Sequence, residues 1–169
     1  MGNLVVDVVN GPLVEARPLT HTLGIRETVP FRTMLSNRDR LLAELIRWLQ
    51  EKDIESDGPF FLRLHVVDMA GLMDIEVGIV DATGVAQPDA RVRPGVLPAG
   101  RYAVLDYRAS SLGANRMLHQ WVSDHELAYD SHQTPEGEAF AARCELYLTD
   151  PRTERRKTRW LVELAFLLR

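Results

Sequence analysis

The sequence predicts an α+β fold in which one unit, strand, helix, strand, strand, occurs twice. Two segments place apolar residues at the three- and four-residue spacing of an amphipathic helix, each around a tryptophan, Trp48 or Trp121. Each is preceded by one short apolar strand and followed by two, and aligning the tryptophans brings the halves into correspondence. The last strand of each half carries a glutamate inside an apolar alternation, Glu76 or Glu163, with a small residue two positions on, Gly78 or Ala165.

The opening "LVVDVVNGPLVEARP" offers an extra edge strand, and "HTLGIRETVP" reads as the first strand of the first unit. The first helix is expected from Asn37 to Lys52, with Leu41, Leu42, Leu45, Trp48 and Leu49 on its buried face, and "FFLRLHVVD" and "LMDIEVGIVD" follow as strands. A Gly- and Pro-rich stretch, Asp81 to Gly100, joins the units and holds a short strand around Arg91 to Val96. The second unit runs "GRYAVLDYRA", a helix from Gly113 to Glu126 with Leu118, Trp121 and Val122 inward, then "ARCELYLTD" and "RWLVELAFLL". "SHQTPEGEAF" and "DPRTERRKTR" read as surface loops. The expectation is one domain, 1–169, of two modules spanning about 14–81 and 90–169.

Side chains alternate across a strand, so each last strand has a helix-facing set and an opposite set. Met73, Ile75, Val77 and Ile79 pack under the first helix, leaving Asp74, Glu76 and Gly78 on the other face. Val162, Leu164, Phe166 and Leu168 do the same in the second half, leaving Leu161, Glu163, Ala165 and Leu167. Matching Leu62, Leu64 and Val66 to Cys144, Leu146 and Leu148 then sets Phe61, Arg63 and His65 beside Glu76, and Arg143, Glu145 and Tyr147 beside Glu163. A buried carboxylate must neutralise, find a cation or stay wetted in a cavity. Glu163 is therefore either half of an ion pair, with Arg63 or Arg143, or the negative centre of a ligand pocket. Glu76 is its counterpart, Tyr147 and His65 line the same side, and Phe61 and Tyr102 serve as hydrophobic walls. Trp160 serves either core or pocket, while Trp48 and Trp121 are expected in the core, with a tryptophan topping the pocket as the alternative.

A net charge of -4 argues against a general nucleic-acid binder, which needs Lys and Arg to neutralise phosphate. The single cysteine, Cys144, reads as a core residue in a reducing compartment. The N-terminus lacks the pattern of a secretory leader and no apolar run is long enough to span a bilayer, so a cytoplasmic location without membrane association is expected. The histidines show no HExxH or Cys/His ligand spacing, and no P-loop, Rossmann glycine pattern or G-x-S-x-G elbow occurs, so neither metal nor cofactor is expected. Arg155, Arg156, Lys157 and Arg159 read as a solvated loop.

In order and spacing, "RPLTHTLGIRETVP", "WLQEK", "GPFFLRLH", "MDIEVGIV", "LPAGRYAVLDY", "FAARCELYLTDP" and "WLVELAFLL" resemble the GyrI-like (gyrase-inhibitor-like) small-molecule-binding family, also described as the effector-binding domain of AraC-type and MerR-type regulators. The resemblance covers Val14 to Leu168. It implies modules of the strand-helix-strand-strand (SHS2) type forming an antiparallel sheet with pseudo-twofold symmetry and a ligand cleft between them. It further implies that Glu163 meets cationic or polar ligands with help from aromatic side chains. The chain departs from many relatives in carrying "DYRASSLGA" where they have a His-x-Gly-Pro-Tyr turn. No helix-turn-helix precedes Val14, so a stand-alone domain without direct DNA binding is expected.

Three functions follow from the residues and the resemblance. The favoured one is multidrug-type binding of bulky aromatic, often cationic compounds, with Glu163, Glu76, Tyr147, His65, Phe61, Tyr102, Trp160 and Ala165 as the ligand-binding set. The second is a detoxifying hydrolase of strained cyclopropane-type electrophiles, with Glu163 and Glu76 activating water. The third is an interaction with gyrase, or with a regulator partner.

Overall fold

The computed structural model describes residues 5–80 and 89–169. The first four residues and the Asp81–Pro88 part of the joining stretch lie outside that description, as do the readings made on them. Among the described residues the chain forms ten strands and two α-helices. In chain order they are β1 (Val6–Arg17), β2 (Thr20–Pro30), α1 (Met34–Glu51), β3 (Phe60–Val67), β4 (Leu72–Val80), β5 (Arg93–Leu97), β6 (Gly100–Ala109), α2 (Ser111–Asp124), β7 (Ser131–Thr134), β8 (Gly137–Phe140), β9 (Arg143–Tyr147) and β10 (Val162–Leu167).

One antiparallel sheet holds the strands in the order β1-β6-β10-β9-β3-β4-β2-β5. The order β6-β10-β9 is mirrored by β2-β4-β3, so each strand-helix-strand-strand unit contributes three adjacent strands, and the units meet where β9 pairs with β3. The sequence "SHQTPEGEAF" is a hairpin, β7–β8, rather than a loop. It carries the sheet onward where β8 pairs with the end of β3. Its strands are four residues long and mostly polar, too short for alternation to declare them.

Both helices cover the same face. Leu41, Leu45, Ala114 and Leu118 are wholly buried in one cluster with alternate residues of β2, β3, β4, β6, β9 and β10. Burying each such leucine is worth about 1.5–3 kcal/mol, which anchors helices too short to persist alone. Ser110 caps α2 by accepting the Gly113 backbone N–H at 3.0 Å. The opposite face carries a smaller apolar cluster: Phe61, Tyr102, Val104, Cys144, Leu146, Ala165 and Leu167 among its members. No described helix is long and apolar enough to cross a membrane.

Candidate functional site

Residues directly opposite on paired strands share a face. Following the register across the four central strands gives two rows on the helix-free face. One runs Glu163, Leu146, Phe61, Gly78; the other runs Ala165, Cys144, Arg63, Glu76. Each glutamate heads a row that ends on the small residue of the other unit. Glu163 and Glu76 are thus three inter-strand steps and two residues of strand apart, about 16 Å at the backbone.

They are also held differently. Glu76 Oε1 lies 2.8 Å from His65 Nε2, and its other oxygen lies where a Cβ on Gly24 of β2 would sit. The carboxylate therefore leans toward β2, away from β10. Glu163 Oε1 lies 2.6 Å from Arg17 Nη1, contributed by the edge strand β1. Its ion-pair partner is Arg17 rather than Arg63 or Arg143. Arg63 spans the same face, donating to Val96 O at 2.9 Å and to Ala141 O at 2.7 Å.

A cavity of about 200 Å³ opens beside the Arg17–Glu163 pair, walled by Leu97, Tyr102, Cys144, Leu146 and Ala165. Tyr102 anchors its hydroxyl on Pro98 O at 2.6 Å and presents its ring 5.9 Å from the Arg17 guanidinium. Burial pushes the Cys144 thiol up to about 12, so it is a neutral wall and not a nucleophile. Directly across the β6–β10 ladder from Glu163 stands Asp106. Burial, and then the facing Glu163 carboxylate, raise its pKa from an ordinary 3.8 to about 7.

Of the residues selected from sequence, Glu163, Tyr102 and Ala165 line this cavity. Phe61 is fully buried in the apolar cluster beneath it. Glu76 and His65 form a separate pair on the same face. Tyr147 and Trp160 lie on the opposite, helix-covered face, which corrects their assignment to the pocket. Tyr147 stands opposite both Val162 and Phe60, accepts from Arg38 Nη1 of α1 at 3.3 Å, and packs its ring 5.2 Å from that of Trp160. Trp160 in turn donates to Glu154 O at 2.7 Å. Matching Leu62 to Cys144 joined residues of opposite faces. On β9 the apolar residues Cys144 and Leu146 face the cleft, and Arg143, Glu145 and Tyr147 face the helices.

Two residues of the site were missed. Asp106 follows Tyr102 by four positions in β6, so the alternation that places Tyr102 on the cleft face places Val104 and Asp106 there too. Arg17 closes β1, and only its spatial proximity to Glu163 marks it.

No sequence-family model matches the chain, and no curated protein matches it by sequence. Solved structures match its fold. EcmrR, in a complex with DNA, matches with a TM-score of 0.63 at 16% identity over 92% of this chain, which spans 56% of that protein. SAV2435, solved bound to tetraphenylphosphonium, gives a TM-score of 0.58 at 13% identity over 93% of both chains. A hydrolase from Listeria innocua gives 0.56 at 13% identity over 95% of this chain and 94% of that one. The chain shares its fold with these proteins, the fold that the GyrI-like resemblance implied.

Proposed function

We propose that the cavity beside Glu163 binds bulky aromatic cations, and that the protein is a small-molecule binding module of the multidrug type. The observation that carries this reading is the seat of Arg17: a planar cation already rests between the Glu163 carboxylate and the Tyr102 ring. A site that accommodates a guanidinium in this way offers an incoming lipophilic cation the same charge and the same π face. SAV2435, of like fold, holds tetraphenylphosphonium, a cation of that class.

Drug-sized ligands occupy about 300–1,000 Å³, more than the present cavity offers. Arg17 supplies the room by leaving. Its Nη2 already lies 3.1 Å from Glu15 Oε2, a second carboxylate that can keep the guanidinium once Glu163 is taken. Ligand and Arg17 thus compete for one acid.

Titrating a rhodamine-type cation and tetraphenylphosphonium against wild type and Glu163→Gln tests the reading. Micromolar binding weakened roughly tenfold by the substitution, about 1.4 kcal/mol, is expected. Equal binding by both proteins refutes it.

A second reading, hydrolysis of strained electrophiles, draws support from Asp106. A carboxyl group of pKa about 7 facing a carboxylate is a proton donor and acceptor poised near neutrality. Glu76 does not share that role, because it leans toward β2. Mass analysis of an electrophilic cyclopropane incubated with wild type, Glu163→Gln and Asp106→Asn decides it: a ring-opened product lost in both variants is expected of an enzyme, and unchanged ligand of a binder.

A further inference from the structure

The helix-covered face of β9 carries a buried charge that finds no hydrogen-bond acceptor among the described residues, although Glu138 and Glu145 act on it through space. Arg38 and Arg143 are equally buried, each 7% exposed. Arg38 donates to Asp39 Oδ1 from two nitrogens, at 3.1 and 2.9 Å, and to the Tyr147 hydroxyl at 3.3 Å. Arg143 has no hydrogen bond and no ion pair among the described residues, and its Nε is sealed from solvent without an acceptor. Its guanidinium lies over two rings instead, 4.9 Å from the centroid of Phe140 and 4.7 Å from that of Phe166. Cation–π attraction offsets only part of the cost of a buried charge. Burial accordingly holds its pKa below that of an ordinary arginine.

Arg143 lines an open cavity of about 610 Å³ between α2, the β7–β8 hairpin and the end of β3. Its other walls include His119, Tyr129, Asp68, Glu138 and Met69, and it shares no residue with the cavity beside Glu163. His119 Nδ1 lies 2.6 Å from the Tyr129 hydroxyl. Burial, and then Arg143, keep that imidazole below its usual pKa, so it adds no second cation. Glu138 is engaged by the Ser131 hydroxyl at 2.7 Å and brings a negative charge to the rim.

We propose that this cavity is a second binding site, for a monoanionic organic carboxylate whose oxygens accept the unanswered N–H groups of Arg143. A guanidinium presents parallel N–H groups that match a carboxylate in a bidentate grip, which an ammonium cannot do. One cation, with the carboxylates of Glu138 and Asp68 on the same walls, favours a single negative charge held close to Arg143 over a polyphosphate. Phe140, Tyr129 and Met69 suit a flat apolar body behind the carboxylate. The geometry also accounts for an arginine where methionine or leucine would pack between the same two rings without a buried charge.

Benzoate is the probe, followed by thermal shift and by titration calorimetry on wild type, Arg143→Met and Glu138→Gln. Wild type is expected to bind benzoate with a dissociation constant of about 1 mM or tighter. Arg143→Met is expected to melt higher than wild type without benzoate and to lose at least tenfold in benzoate affinity, while tetraphenylphosphonium binding is unaffected. Glu138→Gln is expected to bind benzoate more tightly. The proposal is overturned by any of four results: no benzoate binding to wild type, equal binding to Arg143→Met, an equal response to chloride at matched ionic strength, or an Arg143→Met protein that melts lower or fails to fold.

Discussion

Arg17 Nη1 and Glu163 Oε1 stand 2.6 Å apart, joining the outermost strand β1 to the acid of β10 across the intervening β6. The side chain of Glu163 is 11% exposed and that of Arg17 is 23% exposed, so the pair is sheltered but not sealed. Partial exposure is what the proposed competition by an incoming cation requires.

Arg17→Met removes that competitor. Affinity for a rhodamine-type cation should rise by roughly tenfold, about 1.4 kcal/mol, in a fluorescence titration. An unchanged or lower affinity would show that Arg17 does not guard the acid.

Glu163→Gln leaves the guanidinium without its main partner. Breaking a fully buried pair costs about 3–5 kcal/mol; with partial exposure and Glu15 at hand, a loss of about 1–3 kcal/mol is expected in urea denaturation. A double-mutant cycle with Arg17→Met should show coupling, because the second substitution then removes nothing that the first has not already disrupted.

Asp106 sets a pH dependence. Its folded pKa of about 7 lies above the ordinary 3.8, so between those values the folded chain holds a proton that the unfolded chain releases. The contribution of Asp106 to stability therefore falls as pH rises from about 4 to about 7 and is level above that. Asp106→Asn should gain in melting temperature over wild type between pH 5 and pH 8, by about the same slope that wild type loses. Cation affinity in wild type should rise from pH 6 to pH 8 as the second carboxylate ionises, and stay flat in Asp106→Asn.

Gly78→Ala tests the close packing at the far end of the Glu163 row. The added Cβ would lie 2.6 Å from the backbone oxygen of Leu23 and would strike the Phe61 ring. Phe61 can shift only into a filled cluster, so a destabilisation of about 1–3 kcal/mol is expected in the same denaturation assay.

Where hydrophobic periodicity was unambiguous, the fold was legible. Leu41, Leu45 and Trp48 mark α1 within a turn of its ends, and the alternation Val162, Leu164, Phe166 assigns the faces of β10 correctly. β9 misled because both its faces are buried: Cys144 and Leu146 belong to the smaller cluster, while Arg143 and Tyr147 are buried on the helix side. Alternation gives parity but not direction, and the polar set was assigned to the wrong side. Tyr147 is tolerated there because Arg38 hydrogen-bonds to it. The pair at the acidic centre was harder to read, since Arg17 and Glu163 are separated by most of the chain and meet only because β1 folds back onto β6.

The two rows across the central strands match in register but not in surroundings. Glu76 is occupied by His65 and rests over Gly24, while Glu163 looks into a cavity beside Arg17. A cleft with two equal halves would receive a lopsided molecule either way round. Under the proposed binding, with the Glu163 carboxylate at one end of the cavity, a guest with a cationic head and an apolar body would enter in a single orientation, head to β10 and body along Leu146 toward Leu97. The difference between the two halves gives the cleft a direction.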